Sequence, residues 1–136
     1  MKIVLDSNVL FSAIIKDSST RKTILDYEGK FLFPSYVFVE FERHKEELYT
    51  KSGMSASECA SLMQILLSKV LIIPQEALLP YREEALEIMK DIDINDVLFI
   101  ACALAFPPSV IWSDDKALKR QKKIRVLNTL EIIKLV

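Results

Sequence analysis

The sequence predicts an α/β fold, a three-layer α/β/α sandwich around a short parallel sheet of about five strands. Two observations predict it. Short runs rich in Val, Ile and Leu alternate with stretches of helical periodicity, as in a parallel sheet covered on both faces. Acidic residues recur at strand ends and helix starts, and Asp6 and Asp115 each follow an apolar run. Ligands of such folds bind in the crevice beyond the carboxyl ends of the strands.

Lys2 to Leu5 reads as a buried strand, and Asp6-Ser7-Asn8 as the cap of a helix from Val9 to about Ile15. Ser18-Ser19-Thr20 opens a second helix over Arg21 to Tyr27. Phe31 to Phe33 is the next strand, stopped by Pro34-Ser35. The pattern is helical from Tyr36 to about Lys51. A capping sequence at Ser55 to Glu58 starts a further helix running to Ser68. Val70 to Ile73 is the third strand. Pro80 suits the first turn of a helix that buries Tyr81, Ala85, Ile88 and Met89. Asn95-Asp96 begins Val97 to Phe106, which is apolar nearly all round and therefore a buried helix. Val110 to Trp112 is the fourth strand, Asp115 to Lys122 a short basic helix, Arg125 to Leu127 the fifth strand, and Thr129 to Leu135 the last helix. Gly29 and Gly53, the only glycines, both fall in connections.

With 136 residues, 51% hydrophobic and 27% charged, the chain has the balance of one soluble domain over residues 1–136. No apolar run approaches the ~20 residues of a membrane span. The short apolar start before Asp6 is no secretory leader, so the cytoplasm is the expected compartment and no membrane partner is expected. Cys59, Cys102 and the lone His44 cannot assemble a zinc cluster, and both thiols are expected to be buried and inert. A net charge of −1 argues against a strongly basic nucleic-acid platform. It leaves room for a nucleic-acid enzyme, because carboxylates holding a dication lower the charge while Lys and Arg at the rim gather phosphates.

The candidate site is four carboxylates from four distant stretches: Asp6, Glu40, Asp96 and Asp115. Taken singly, Asp6, Asp96 and Asp115 each read equally as a helix cap, and Glu40 as a solvated helix residue. Glu40 is set apart by its apolar neighbours Tyr36, Val37, Phe38, Val39 and Phe41, since a carboxylate in such a run needs a partner. Clustered carboxylates repel one another in a cleft, and Mg²⁺ or Mn²⁺ relieves that conflict while activating water against a phosphodiester. The basic stretch Lys116 to Lys123 begins directly behind Asp115 and suits a phosphate backbone.

These residues resemble the PIN-domain family over essentially the whole chain. Ile3 to Asn8 is similar to the family's opening strand and first acid. Pro34-Ser35 followed by Phe38-Val39-Glu40-Phe41 is similar to the second, and Asp96 to Leu104 to the third acid and its small-residue helix. Ile111-Trp112-Ser113-Asp114-Asp115-Lys116 resembles the fourth motif, in which Ser or Thr precedes the acid by two positions, selecting Asp115 over Asp114. The resemblance implies a Mg²⁺- or Mn²⁺-dependent endoribonuclease. Asp6, Glu40, Asp96 and Asp115 would line the metal site, with Asn8, Ser113, Asp93 and Asp114 as supporting neighbours and Arg43 and Lys116 on the RNA. Many small PIN proteins are VapC-type toxins, so an antitoxin protein and a homodimer are expected partners. The segment from His44 to Ser68 and the Lys90 to Asp93 run are more similar to another prokaryotic PIN subgroup. The alternative is a catalytically silent PIN-like module that binds RNA or protein. A phosphatase-like use of Asp6 ranks below both, since such enzymes carry a second Asp where this chain has Asn8.

Overall fold

A computed structural model of the protein describes residues 1–16, 18–92 and 96–136. Five strands form one parallel sheet: β1 (Lys2–Leu5), β2 (Phe31–Pro34), β3 (Val70–Ile73), β4 (Ser109–Trp112) and β5 (Val126–Leu127), in the order β3-β2-β1-β4-β5. The expected sandwich is the one observed. Register aligns Val4 with Leu32 on one side and Leu5 with Trp112 on the other, while Pro34 faces Ile73 and Trp112 faces Leu127. β1, β4 and β5 therefore stop level and β2 and β3 run one residue further, so residues 6, 35, 74, 113 and 128 all leave the sheet along one edge.

The crossovers set the layers. α1 (Ser7–Ile15) and α2 (Ser19–Asp26) join β1 to β2; α3 (Val37–Ser52) and α4 (Ala56–Leu67) join β2 to β3. Both steps move the same way across the sheet, so right-handed connections put these helices on one face, where α1 packs against α2, α3 and α4. The chain then returns past β1 to β4 through α5 (Gln75–Leu78), a 3₁₀ turn at Leu79–Tyr81, α6 (Arg82–Met89) and α7 (Val97–Ala105) on the other face. α8 (Thr129–Leu135) follows β5.

α7 explains its own composition. It lies against β1, β2 and β4 while α5 and α6 cover its outer side, so nearly its whole circumference is out of water. Phe99, Ile100, Ala101, Cys102 and Ala103 are all buried, and the small residues let the helix sit close to the sheet. Burial pushes the Cys102 thiol up to about 12, which leaves it unreactive at neutral pH. Cys59 is likewise a buried free thiol.

Helix ends mostly follow the expected caps. Ser55 and Glu58 form a reciprocal capping box on α4, and Gly53 closes α3 in the left-handed conformation (φ 71°) that glycine adopts without strain. α1 starts at Ser7, two residues before the expected Val9, and α5 lies in a stretch where no helix was expected. Of the face expected to be buried after Pro80, Ala85 and Met89 are fully buried and Tyr81 and Ile88 partly so.

The basic helix expected over Asp115 to Lys122 is absent. Only Leu118–Arg120 makes a 3₁₀ turn. The buried side chain of Gln121 organises this segment instead: its amide donates to the carbonyls of Leu118 and Ile124, and its oxygen accepts from the N–H groups of Lys123 and Ile124. Those bonds satisfy the backbone that a helix would otherwise have to pair. Among the described residues no helix is long and apolar enough to cross a membrane.

Candidate active site

The strand order reverses direction between β1 and β4, which is the switch point where open parallel sheets offer a crevice. Asp6 leaves β1 at that point and Ser113 leaves β4. The Asp6 N–H bonds to the Trp112 carbonyl at 3.1 Å, which holds the two exits side by side. Ser113 then links two of the acids. Its hydroxyl donates to Asp6 Oδ2 at 2.6 Å and accepts from the Asp115 N–H at 3.0 Å. Asp115 turns back on its own chain, Oδ1 accepting from the Ala117 N–H at 2.9 Å. Asp6 is 3% exposed and Ser113 fully buried, so this corner is fixed by packing as well as by hydrogen bonds.

Burial raises the pKa of Asp6 above the usual carboxylate value. The Ser113 hydroxyl and the Asn8 N–H, 3.4 Å away, oppose the shift, and the charge of Asp115 adds to it. Asp6 and Asp115 are therefore within each other's field.

Glu40 arrives from the other side. Ser35 and Tyr36 turn the chain out of β2, and α3 presents Glu40 in its first turn. There Glu40 Oε1 accepts a hydrogen bond from the Ser7 hydroxyl at 2.5 Å, tying α3 to the residue after Asp6. Glu40 is half-buried. Burial raises its pKa, the Ser7 bond lowers it, Asp6 raises it again, and His44 and Arg43 pull it down. Asp6 is thus the common neighbour of Glu40 and Asp115. Arg43 donates to the Tyr36 hydroxyl at 2.7 Å, with its guanidinium 5.7 Å from the ring centre, so it stands braced beside Glu40.

The remaining candidates divide. Asp96 is buried at the head of α7, in the opposite helical layer from Glu40. Asp93 lies outside the described residues, as does Asn95. Asp6 caps α1 by accepting from the Asn8 backbone N–H, and the Asn8 side chain stays at the surface. Lys116 shares a cavity of about 370 Å³ with Ser113, Asp115 and Lys119, and Lys119 is engaged by Glu131 at 2.5 Å. Asp114 is employed elsewhere. Its two oxygens accept from the N–H and the hydroxyl of Thr129 at 2.8 and 2.7 Å, and that hydroxyl accepts from the buried Trp112 indole. This clamp fastens the start of α8 to β4, and it separates Asp114 from Asp115 more sharply than motif spacing does. Sequence reasoning missed Ser7, whose only signal was its place between Asp6 and Asn8.

The chain matches the PIN domain family model over residues 4–132. It belongs to the PIN domain family. None of the curated proteins matches it significantly. Among solved structures, this PIN domain is similar to a chain of VapBC2 from Rickettsia felis, a crystal structure with a DNA fragment from the promoter bound. The two are 21% identical, with a TM-score of 0.72 over 94% of this chain and 98% of that one.

A divalent cation suits the donor chemistry. The acids offer only oxygen ligands, and the mutual repulsion and burial that raise Asp6 and Glu40 are costs that a bound dication removes. Among the described residues no three Asp, Glu, His or Cys side chains already stand together as a cage. Glu40, half-buried on the first turn of α3, is less confined than the buried Asp6.

Proposed function

We propose that this PIN domain, a single unit over residues 1–136, is a metal-dependent endoribonuclease that hydrolyses phosphodiester bonds of RNA. The observation that carries the proposal is the switch-point corner, where Ser113 ties Asp6 to the backbone of Asp115 and Asp6 shares a field with Glu40. Asp6, Glu40, Asp96 and Asp115 would hold Mg²⁺ or Mn²⁺. Such an ion, when bound, supplies Lewis acidity for activating water and neutralises charge developing on the phosphodiester. Ser113 and Ser7 orient Asp6 and Glu40, because a carboxylate ligand without a fixed hydrogen bond points in several directions. Asn8 assists through its N–H. Arg43 and Lys116, on opposite flanks of the acids, meet the RNA backbone.

The likeness to VapBC2 and the family resemblance support a finer reading, that the protein is the toxin of a toxin–antitoxin pair, cytoplasmic, homodimeric and restrained by an antitoxin protein. The test of the nuclease is cleavage of single-stranded RNA in Mn²⁺, repeated with EDTA and with Asp96→Asn. Cleavage lost in both supports a metal enzyme. Cleavage that survives both refutes it, and RNA binding without any cleavage favours a silent binding module.

A further inference from the structure

Beside Glu40 a cleft of about 340 Å³ runs between α1 and α3, within the ~300–1,000 Å³ range of small-ligand sites. α3 lines it with residues 40, 44, 47, 48 and 51, the spacing of one helical face, over about 16 Å of helix axis. α1 supplies Asn8, Phe11 and Ser12 opposite. Leu48 and Phe11 are buried and form the floor. The His44 ring stands half-exposed above it, 6.2 Å from the Phe11 ring and tilted by 54°.

We propose that this cleft is a base-binding subsite that takes one unpaired nucleobase of the RNA, stacked on His44, next to the phosphate held at the acids. The proposal rests on the ribonuclease reading. The charges in the cleft favour a base over a phosphate: Glu40 and Glu47 line it, and its Lys51 is already paired with Glu47 at 2.6 Å. What is left to offer is an apolar floor, an aromatic wall, and the Asn8 amide and Ser12 hydroxyl for base edges. Unstacked bases of single-stranded RNA are recognised by that combination. The cleft also begins at Glu40 itself, so a strand whose phosphate lies at the acids has a neighbouring base within reach of it. His44 is therefore a substrate-binding residue, although its isolation in sequence left it without a role.

His44 is the only histidine, so the Cε1–H signal of its imidazole is the only one of its kind and assigns itself in the NMR spectrum. The full chain in Mg²⁺ is titrated with a short phosphorothioate single-stranded RNA, which resists hydrolysis, and with its abasic counterpart. The intact strand is expected to move the His44 signal upfield by ring current, and the abasic strand to leave it in place. His44→Ala should weaken binding of the intact strand roughly tenfold, and His44→Phe should restore it. No shift with either strand, or the same shift with both, overturns the subsite; the first result leaves the cleft to a protein partner. Cleavage of the unmodified strand is scored separately. Cleavage without the shift removes the subsite and spares the nuclease, whereas the shift without cleavage does the reverse.

Discussion

The two sides of the acidic corner are built differently. On the β1–β4 side, Asp6 and Ser113 are buried, set by strand register, and locked by bonds that cross more than a hundred residues of sequence. On the α3 side, Glu40 is half-exposed on the first turn of a helix and held by the single hydroxyl of Ser7. A carboxylate fixed by sheet register cannot move to meet an ion, so in the proposed centre it would define where the ion sits. One on a helix edge would adapt to it. The rigid side should therefore dominate affinity and the adaptable side should tune it.

That contrast orders the expected effects. Asp6→Asn should abolish Mn²⁺ binding and RNA cleavage together, because it removes the acid shared by both sides. Ser113→Ala comes next, with metal affinity falling roughly 10–100-fold as Asp6 loses its orienting donor. It should also lower stability by about 1–3 kcal/mol in chemical denaturation, since a buried carboxylate oxygen is left short of a partner. Ser7→Ala should cost less, at the roughly 10-fold end of that range. A Ser7→Ala loss exceeding that of Ser113→Ala would reverse the assignment of the rigid side.

Stability against pH probes the buried side without any metal. Asp6 and Glu40 both have folded-state pKa values raised above the unfolded ones. The folded protein then binds more protons than the unfolded chain across that window. The stability they allow is fully present below the unfolded carboxylate range and is lost as pH rises through their raised values. The difference in melting temperature between wild type and Asp6→Asn isolates this from the surface acids Glu47, Glu58 and Glu131, whose shifts run the other way. Metal-free Asp6→Asn should melt above wild type at pH 7, with the gap closing as the pH falls. A gap that widens toward low pH would mean Asp6 is stabilised as a charge rather than penalised.

The smallest expected effect on metal concerns Asp114. Asp114→Asn should leave Mn²⁺ affinity near wild type while costing about 1 kcal/mol of stability, because it weakens the clamp on Thr129 at the start of α8. Asp115→Asn should do the opposite. Equal losses of affinity from both variants would undo the distinction.

The sequence was readable wherever the physics is local. The strands to within one residue (Pro34, expected to stop β2, is its last residue), the Ser55 capping box and the buried α7 all follow from residue type and period, and Asp6 and Asp115 were findable because each follows an apolar run. The Ser113 spacing even singled out Asp115. What could not be read depends on side chains meeting across the fold. Ser7 reaches Glu40 only once α1 and α3 pack, and Asp114 reaches Thr129 only once β4 and β5 pair. The Gln121 loop is the same lesson in reverse, where a run of Lys and Arg looked helical until one buried amide supplied the bonds that replaced the helix.

Calorimetric titration of Mn²⁺ into wild type, Asp6→Asn, Asp115→Asn and Asp114→Asn tests the proposed centre most directly. Saturable binding in wild type and Asp114→Asn, with none in Asp6→Asn and a marked loss in Asp115→Asn, is the expected result. Undiminished binding in Asp6→Asn would contradict a metal centre at the β1–β4 switch point.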